Sequence, residues 1–242
     1  MTARTPTPRE RFREQTRSEI KELALRQLAS GGSSGFSLTR IAKALGLSGP
    51  ALYRYYGSRD ALVDALVTDA YLDIAHAIDD AGTAPSTPAE PRAWLHRLAL
   101  AYRSWAMRRP HLHQLIQGAP LPGHTAAPGT SGGARAVLGP LLGPSLGIFA
   151  GAEPGAAVTP LVKEMTAWAG REPTVRNWVT VHTGPRIEHG AMGIALAGTV
   201  MAWSTLHGTV SLEMALQFAG MGHRGDNLLA AHIESLAEGF GL

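Results

Sequence analysis

Apolar residues recur every three or four positions along most of this chain, which is the spacing of helices with one buried face. Glycine, proline and capping serine residues stand between these runs and are typical of helix ends. No clear run of alternating apolar and polar residues, which would indicate a strand, is found. The pattern therefore predicts an all-α protein. The predicted helices cover residues 20–30, 38–45, 48–56, 62–78, 93–109, 110–117, 158–169, 173–183, 190–208 and 226–239, with a short helix between the last two.

Residues 37–56 hold two short helical runs separated by a turn. Ser37 and Ser48 each stand just ahead of a run, where a serine side chain caps the first helical turn. Gly46 ends the first run, and Pro50 falls in the first turn of the second, where its missing N–H is harmless. Two helices joined by such a turn form a helix-turn-helix, whose second helix enters the major groove of DNA. The alternative is an ordinary pair of packed helices.

The second helix of this pair carries side chains suited to DNA contact. Its first turn offers small apolar surfaces for thymine methyl groups, and its second turn carries tyrosine hydroxyl groups for phosphates. Leu52 and Tyr56 lie four residues apart and are predicted to face the core. Arg59, at the start of the next helix, can reach the phosphate backbone. The DNA-facing residues meant here are Gly49, Pro50 and Ala51 in the first turn, with Tyr53 and Tyr55 in the second.

Positive charge is concentrated in the same part of the chain. The net charge is +3 at pH 7, but residues 1–60 carry +6 and residues 61–242 carry −3. A basic segment on a mildly acidic body indicates contact with a polyanion such as nucleic acid. A solvated basic tail is the alternative, because four of the arginines lie before residue 14.

Several kinds of chemistry are disfavoured by the composition. Cysteine is absent, which excludes disulfides, thiolate metal sites and cysteine nucleophiles. No histidine pair has an acid at metal-ligand spacing and no nucleotide-binding glycine pattern occurs, so no metal and no cofactor is expected. Two Gly-x-Ser-x-Gly strings, at 31–35 and 143–147, lack the preceding strand that a nucleophile elbow requires. No secretory segment opens the chain, which favours a cytoplasmic location.

Residues 190–212 contain no charged side chain and are numerous enough to cross a bilayer. Small and hydroxyl-bearing residues are frequent among them, however, and no cluster of Lys or Arg flanks the segment. Such a surface suits close helix packing, either in a helical core or in a dimer seam. We therefore expect no membrane span. The small residues in question include Gly190, Ala191, Ala195, Gly198 and Ala202.

Residues 35–62 resemble the DNA-binding segment of the TetR family of bacterial transcriptional regulators. The segment is GFSLTRIAKALGLSGPALYRYYGSRDAL, and the family pattern is roughly Phe-Thr-x-x-x-Ile-Ala-x-x-Ala-Gly-Val-Ser-x-x-x-Leu-Tyr-x-His-Phe-x-Ser-Lys-x-x-Leu. Ser37 stands where the family has Thr, Tyr55 and Tyr56 replace His-Phe, and Arg59 replaces Lys. These changes keep the polar, aromatic and cationic character, so they bear on which operator is bound. The resemblance extends over residues 14–80.

The resemblance implies an all-α homodimer that binds a double-stranded DNA operator. A helix-turn-helix domain over residues 1–57 would bind the DNA, and a helical domain over residues 58–242 would regulate and dimerise. It also implies a transcriptional regulator and not an enzyme, most simply a repressor released by a small apolar ligand. Thr39, Tyr53, Tyr55 and Arg59 map onto family positions that touch DNA. The candidate DNA-binding residues are Ser37, Thr39, Arg40, Ser48, Gly49, Pro50, Ala51, Tyr53, Tyr55 and Arg59.

Large aromatic residues on the helices after residue 82 predict a mainly apolar cavity with a few polar tips. The alternative is that they simply fill a core. The stretch from Trp203 to Gly208 resembles the Trp-x-x-x-His-Gly signature of one TetR C-terminal subclass, although core packing of Trp203 against His207 is favoured over a ligand contact. The candidate ligand-binding residues are Tyr102, Trp105, His113, Met165, Trp168, Trp178, His182, Trp203 and His207.

The last two long helices are predicted to form a homodimer seam as a four-helix bundle. The first would contribute its small-residue face, and the second an apolar stripe. That stripe consists of Leu229, Ile233, Leu236 and Phe240.

A competing function is a small hydrolase or a membrane-associated helical protein with a coincidental helix-turn-helix. The positive charge around Tyr53 discriminates against it, because an enzyme has no reason to concentrate cations on that segment.

Overall fold

The structure is a computed structural model that describes residues 7–32, 35–78, 80, 90–117, 143 and 145–242. Every regular element among them is helical, which confirms the all-α prediction. Most of the predicted loop 82–91, the predicted loop 118–134 and part of the unassigned stretch 135–150 lie outside these residues. The helices are α1 (Pro8–Gly31), α2 (Leu38–Ala44), α3 (Gly49–Tyr53), α4 (Arg59–Ile78), α5 (Pro91–Arg108), α6 (Pro110–Leu115), α7 (Thr159–Arg171), α8 (Pro173–Thr183), α9 (His189–Met214) and α10 (Gly225–Gly239), with a helical segment at 145–149.

The chain divides into two compact units. The first comprises residues 1–70 and 109–130, and the second comprises residues 71–108 and 131–242. The helix α4 therefore contributes residues to both units, and α6 belongs to the first. The domain boundary that the sequence predicts after residue 57 stays a prediction.

The helix α1 begins at Pro8, twelve residues before the first apolar run of the sequence at Ile20. Thr7 caps it, because its Oγ1 accepts from the Glu10 N–H at 3.2 Å while the Glu10 carboxylate accepts from the Thr7 N–H at 2.7 Å. This reciprocal pair is a capping box, and the backbone hydrogen bond lowers the pKa of the Glu10 carboxyl. The arginines at positions 9, 11 and 13 therefore lie on the exposed first turns of a helix, and their contact with nucleic acid stays a prediction.

In the second unit, the small-residue face of α9 packs inside the chain. Gly193 lies against Thr166 and the Val162 carbonyl of α7, and Gly198 lies against the ring of Phe149. A side chain at either glycine would occupy the space of these neighbours. Of the two roles left open by the sequence, core packing therefore accounts for these glycines.

The apolar stripe of α10 is also internal. Leu229, Ile233, Leu236 and Phe240 are at most 4% exposed within the single chain. Their side chains are almost wholly covered by their own chain, so the prediction that they form an apolar stripe facing a second copy is wrong. Other faces of α9 and α10 remain at the surface.

The end of α10 is joined to a distant part of the chain. The N–H groups of Glu153 and Gly155 donate to the carbonyls of Phe240 and Gly239, at 3.0 and 2.9 Å. The last carbonyls of a helix have no partner within it, so residues 153–155 supply that partner here.

The helix α9 is longer than the sequence predicts. It continues past Gly208 to Met214, because Thr209 and Val210 are buried, and the short helix predicted after it is not present in the described residues 215–224. Among the residues that the structure describes, no helix combines the length and apolarity needed to span a bilayer.

Candidate functional site

A glycine-centred turn sets the geometry of α2 and α3. Gly46 has a φ of +65°, a left-handed conformation that costs glycine little. The Leu47 N–H donates to the Ala42 carbonyl at 2.9 Å, and the Gly46 N–H donates to the Lys43 carbonyl at 3.2 Å. These two bonds are the Schellman pattern, which ends a helix and turns the chain. The predicted helix-turn-helix is therefore confirmed.

Three serines cap the helices around this turn. The Oγ of Ser37 accepts from the Arg40 N–H at 3.4 Å, and that of Ser48 accepts from the Ala51 N–H at 3.3 Å. Ser58 caps α4 in the same way. Two of the predicted DNA-binding residues, Ser37 and Ser48, therefore already serve the fold. Each hydroxyl still has a hydrogen to donate.

The inner face of the helix-turn-helix is closed by Leu52 and Tyr56, which are 1% and 3% exposed. The Arg17 guanidinium lies over the Tyr56 ring at 4.8 Å. The Tyr56 hydroxyl donates to the Arg17 carbonyl at 3.5 Å, and burial raises the pKa of this tyrosine. The prediction that Leu52 and Tyr56 face inward is confirmed, and Tyr56 packs on Arg17 of α1.

The outer face of α2 and α3 forms a cleft of about 280 Å³. It brings together Thr39, Gly49 and Tyr53, three of the predicted DNA-binding residues. Tyr53 is 50% exposed. Lys43 lines the same cleft and is exposed, although the sequence analysis did not single it out. Its position four residues after Thr39, on the same face of α2, was the available signal.

The predicted cations beside this cleft are held by aromatic and backbone groups. Arg40 donates to the Gly35 carbonyl, and the Arg59 guanidinium lies over the Phe36 ring at 5.4 Å. Residues 23–59 contain five cations and no acid. An exposed face of this kind attracts phosphate, because no carboxylate within that stretch opposes it.

In the second unit, four of the candidate ligand residues form one packed group, here called the Tyr102 cluster. The Tyr102 hydroxyl is 2.8 Å from the His207 Nδ1, and the Trp203 and His207 rings stack at 4.7 Å. Trp105 lies beside Tyr102 and donates from its Nε1 to Asp73 at 2.6 Å. Burial raises the pKa of Tyr102 and lowers the pKa of His207.

Hydrogen bonds within the Tyr102 cluster join Tyr102 to His207 and Trp105 to Asp73. Two α4 residues of this cluster were not predicted from the sequence: Tyr71 lies beside Trp203, and Asp73 lies beside Trp105. Both residues lie on a helix whose apolar pattern also includes Ile74 and Ile78. Nothing in the sequence therefore distinguished them as members of this cluster. The rings of Trp203 and His207 pack on each other, and their assignment as ligand-binding residues stays a prediction.

A second group of candidates, here called the Trp178 cluster, lies between α7, α8, α9 and the segment 145–149. Trp168, Trp178 and Met165 pack against a fully buried apolar centre. The His182 ring lies 6.3 Å from that of Trp178, and partial burial lowers the pKa of this histidine. The buried centre consists of Leu146, Ala169, Val175, Val179, Met192, Ala195 and Leu196.

The remaining candidate, His113, lies in the first unit on α6, 3.4 Å from the Gln117 amide. The nine candidate ligand-binding residues thus divide into three groups, which are the Tyr102 cluster, the Trp178 cluster and His113 alone.

Ser145, the centre of the second Gly-x-Ser-x-Gly string, is fully buried in the helical segment 145–149. A nucleophile elbow exposes its serine after a strand, so this serine does not have that geometry. No group of three potential metal ligands is found among the described residues.

Comparison with known families agrees with these geometries. The model of bacterial regulatory proteins of the tetR family matches residues 20–66. The model described as tetracyclin repressor-like, C-terminal domain, matches residues 95–236, more than half of the chain. The chain belongs to the TetR family. The resemblance seen at residues 35–62 is thereby confirmed, because the match to the tetR-family model covers the helix-turn-helix.

Individual relatives support the assignment. The HTH-type transcriptional regulator Rv1816 of Mycobacterium tuberculosis is 41% identical over 131 residues, which are 52% of this chain and 54% of the relative. The TetR chain thus spans about half the length of the curated relatives it matches. The crystal structure of the regulatory protein SCO4313 is 34% identical, covers 96% of this chain and all of that chain, and superposes with a TM-score of 0.68.

A more distant structure shares the fold. It is a TetR variant from Acinetobacter baumannii in complex with minocycline, at 16% identity and a TM-score of 0.51, over 92% of this chain and 94% of that one.

Proposed function

We propose that this TetR protein is a homodimeric repressor that binds a pseudo-palindromic operator and is released from it by a small apolar ligand. The observation that carries the DNA-binding part is the cleft between α2 and α3, with exposed Lys43 and Tyr53 on an acid-free basic stretch. The capped start of α3 would enter the major groove, and Gly49, Pro50 and Ala51 would meet base edges. Thr39, Arg40, Tyr55 and Arg59, with Ser37 and Ser48, would position the phosphates.

The DNA-binding proposal is tested with a duplex obtained by selection from genomic fragments. Arg59→Gln is expected to weaken binding about tenfold, and to flatten the slope of log K against log salt by about one unit, because one phosphate contact is lost. The matched control is Lys163→Gln on α7, an exposed cation of the second unit, which should leave the slope unchanged. Failure to select any duplex, or an unchanged slope for Arg59→Gln, contradicts the proposal.

The proposed dimer uses the surface of α9 and α10 that remains outside the core. An open groove of about 510 Å³ runs between the two helices. Ser204 and Gly208 line it from α9, and His232 and Ser235 line it from α10. Small side chains allow two helix pairs to approach closely, as in an isologous four-helix bundle. Two recognition helices would then meet half-sites about 34 Å apart or slightly more.

Sedimentation equilibrium tests the dimer directly. At micromolar concentration the protein is expected to sediment at twice the mass of one chain. Ser204→Arg should shift it to the monomer, because a charge near the two-fold axis meets its own copy. Val181→Arg on α8, at a valine that is 70% exposed, is the matched control and should remain dimeric. If Ser204→Arg and the wild type have equal helical circular dichroism, misfolding is excluded as the cause of the monomer. A wild-type protein that sediments as a monomer contradicts the dimer proposal.

The ligand-release part is supported by the Trp178 cluster and by the small molecule held in the minocycline complex of a TetR-fold protein. A ligand shifts operator affinity only if it binds the DNA-free state more tightly than the DNA-bound state. The helix α4 is one continuous helix with residues in both units, so it would transmit such a difference to the DNA-binding unit. An operator-release screen with Trp fluorescence tests this part separately from DNA binding.

A further inference from the structure

Two buried polar atoms near the Trp178 cluster have no hydrogen-bond partner. Ser145 is fully buried, and its Oγ is unpaired. The indole Nε1 of Trp178 is buried and also lacks an acceptor. Burying a donor without a partner costs free energy, since its bonds to water are not replaced. Such atoms are rare in native proteins, and each one calls for an explanation.

The two atoms belong to the same cluster. Ser145 directly precedes Leu146, which is part of the buried centre on which Trp178 packs. The His182 ring, four residues after Trp178, lies against the backbone of Gly143, two residues before Ser145. The segment around Ser145 and the helix α8 are therefore in direct contact.

A third unpaired polar atom, a hydroxyl, lies on the adjoining helix. Thr199 is 1% exposed, and its Oγ1 has no partner. It follows Ala195 by four residues and Leu196 by three, so it shares their face of α9 one turn further along. The apolar centre of the cluster is thus bordered by unpaired hydrogen-bonding groups from three segments of the chain.

An open surface groove borders the cluster. Ala150 and Ile187 pack against its buried centre. The same two residues line an open groove of about 660 Å³, together with Arg186, Glu188 and neighbouring residues. A molecule in this groove would reach the cluster through Ala150 and Ile187.

The unpaired atoms define the chemistry of a ligand. An indole N–H only donates, and a hydroxyl donates or accepts, so the complementary group is a hydrogen-bond acceptor. The cluster is otherwise apolar. We propose that it binds an uncharged, mainly apolar molecule carrying a carbonyl oxygen, which accepts hydrogen bonds from Trp178 and Ser145. This inference rests on the ligand-release part of the proposed function and names the ligand class.

The charges around the cluster indicate whether the accepting group of the ligand is a neutral carbonyl or a carboxylate. The cluster contains no lysine or arginine, and the groove carries Arg186 and Glu188, which have opposite charges. Partial burial lowers the pKa of His182, so this ring is neutral at pH 7. A buried carboxylate would lack a counter-ion and would be strongly disfavoured.

Unliganded stability gives the first test. Ser145→Ala removes a buried hydroxyl without a partner, so the thermal midpoint should stay the same or rise. Ser211→Ala is the matched control, because its hydroxyl is also buried and unpaired but lies about 22 Å along α9 from Leu196. It should behave in the same way. A lower midpoint for Ser145→Ala alone would show that this hydroxyl has a structural partner, which overturns the inference.

Ligand binding gives the second test, by isothermal titration calorimetry on the full chain. The probes are benzophenone against diphenylmethane, and 1-tetralone against tetralin, which differ only in the carbonyl. At least one ketone should bind about tenfold more tightly than its hydrocarbon, and 4-benzoylbenzoate should bind more weakly than benzophenone. Ser145→Ala and Trp178→Phe should each weaken ketone binding about fivefold, while Ser211→Ala should not change it.

The outcomes separate the two proposals. If neither ketone binds better than its hydrocarbon, or if Ser145→Ala and Trp178→Phe bind like wild type, the carbonyl site is wrong, whatever the DNA results. If the ketone is bound through these residues, the site stands. Operator affinity measured with and without the ketone then decides only whether the site controls DNA binding.

Discussion

Replacing Ala51 by glutamate is expected to lower operator affinity about a hundredfold while leaving the helix-turn-helix folded. Ala51 is in the first turn of α3, the part of a recognition helix that faces base edges. A carboxylate there would meet the phosphates and the acceptor-rich floor of the major groove. The repulsion affects the complex and not the free protein.

The same substitution should not harm the fold. Ser48 caps α3 and accepts from the Ala51 N–H at 3.3 Å, so position 51 is the third residue of the helix. Glutamate at that position completes a capping box of the kind that Thr7 and Glu10 form at α1. A negative charge in a first helical turn is also favourable.

Fluorescence anisotropy with a labelled operator duplex measures the effect, and thermal unfolding checks the fold. Ala51→Gln is the matched control, because glutamine has nearly the same size and also completes a capping box but carries no charge. It should lose much less affinity than Ala51→Glu. Equal affinities for the two variants would show that position 51 does not face DNA.

The second large effect is expected on stability, from Gly198→Leu. A side chain at Gly198 would overlap the ring of Phe149, which is fully buried and packs on Phe240 at 4.9 Å. The ring cannot move without opening the core around the end of α10. We expect a loss of about 3 kcal/mol or more in the free energy of unfolding, and a fall of about 10 °C in the thermal midpoint.

Two further variants isolate the cause. Gly190→Leu places the same side chain on α9 where nothing lies within contact distance, so it should be close to neutral. Phe149→Ala combined with Gly198→Leu should recover part of the loss, because the overlapping ring is gone. If Gly198→Leu unfolds like wild type, the close contact between α9 and Phe149 is not present in solution.

The helix-turn-helix could be predicted almost completely from sequence because its determinants are local. The caps at Ser37 and Ser48 and the turn at Gly46 each act over six residues or fewer. The inward positions of Leu52 and Tyr56 follow from helical spacing alone. Such signals are independent of the rest of the fold, so a single sequence carries them.

The start of α1 was missed although it also has a local signal. Thr7 and Glu10 stand at capping-box spacing, and Pro8 occupies the first helical position. The first turns, however, carry no apolar stripe because residues 7–15 are exposed. A prediction based on apolar spacing therefore begins the helix only where burial begins.

The sequence could not predict whether the apolar and small-residue faces of α9 and α10 are buried within their own chain or against a second copy. A stripe of small residues suits a neighbouring helix of the same chain as well as one of a second copy. The decision depends on Phe149 and Thr166, which lie more than 25 residues away in sequence. The unpaired atoms of Ser145 and Trp178 depend on similar non-local contacts, so no sequence pattern indicated them.

The attachment of α10 to residues 153–155 couples the opening of this helix end to a segment that is distant in sequence. Its final carbonyls are satisfied only when a segment more than 80 residues earlier is in place. The amides of Glu153 and Gly155 should therefore exchange with deuterated solvent only when the end of α10 opens. Two backbone positions outside the helix thus report its local unfolding, and they would do so without any engineered label.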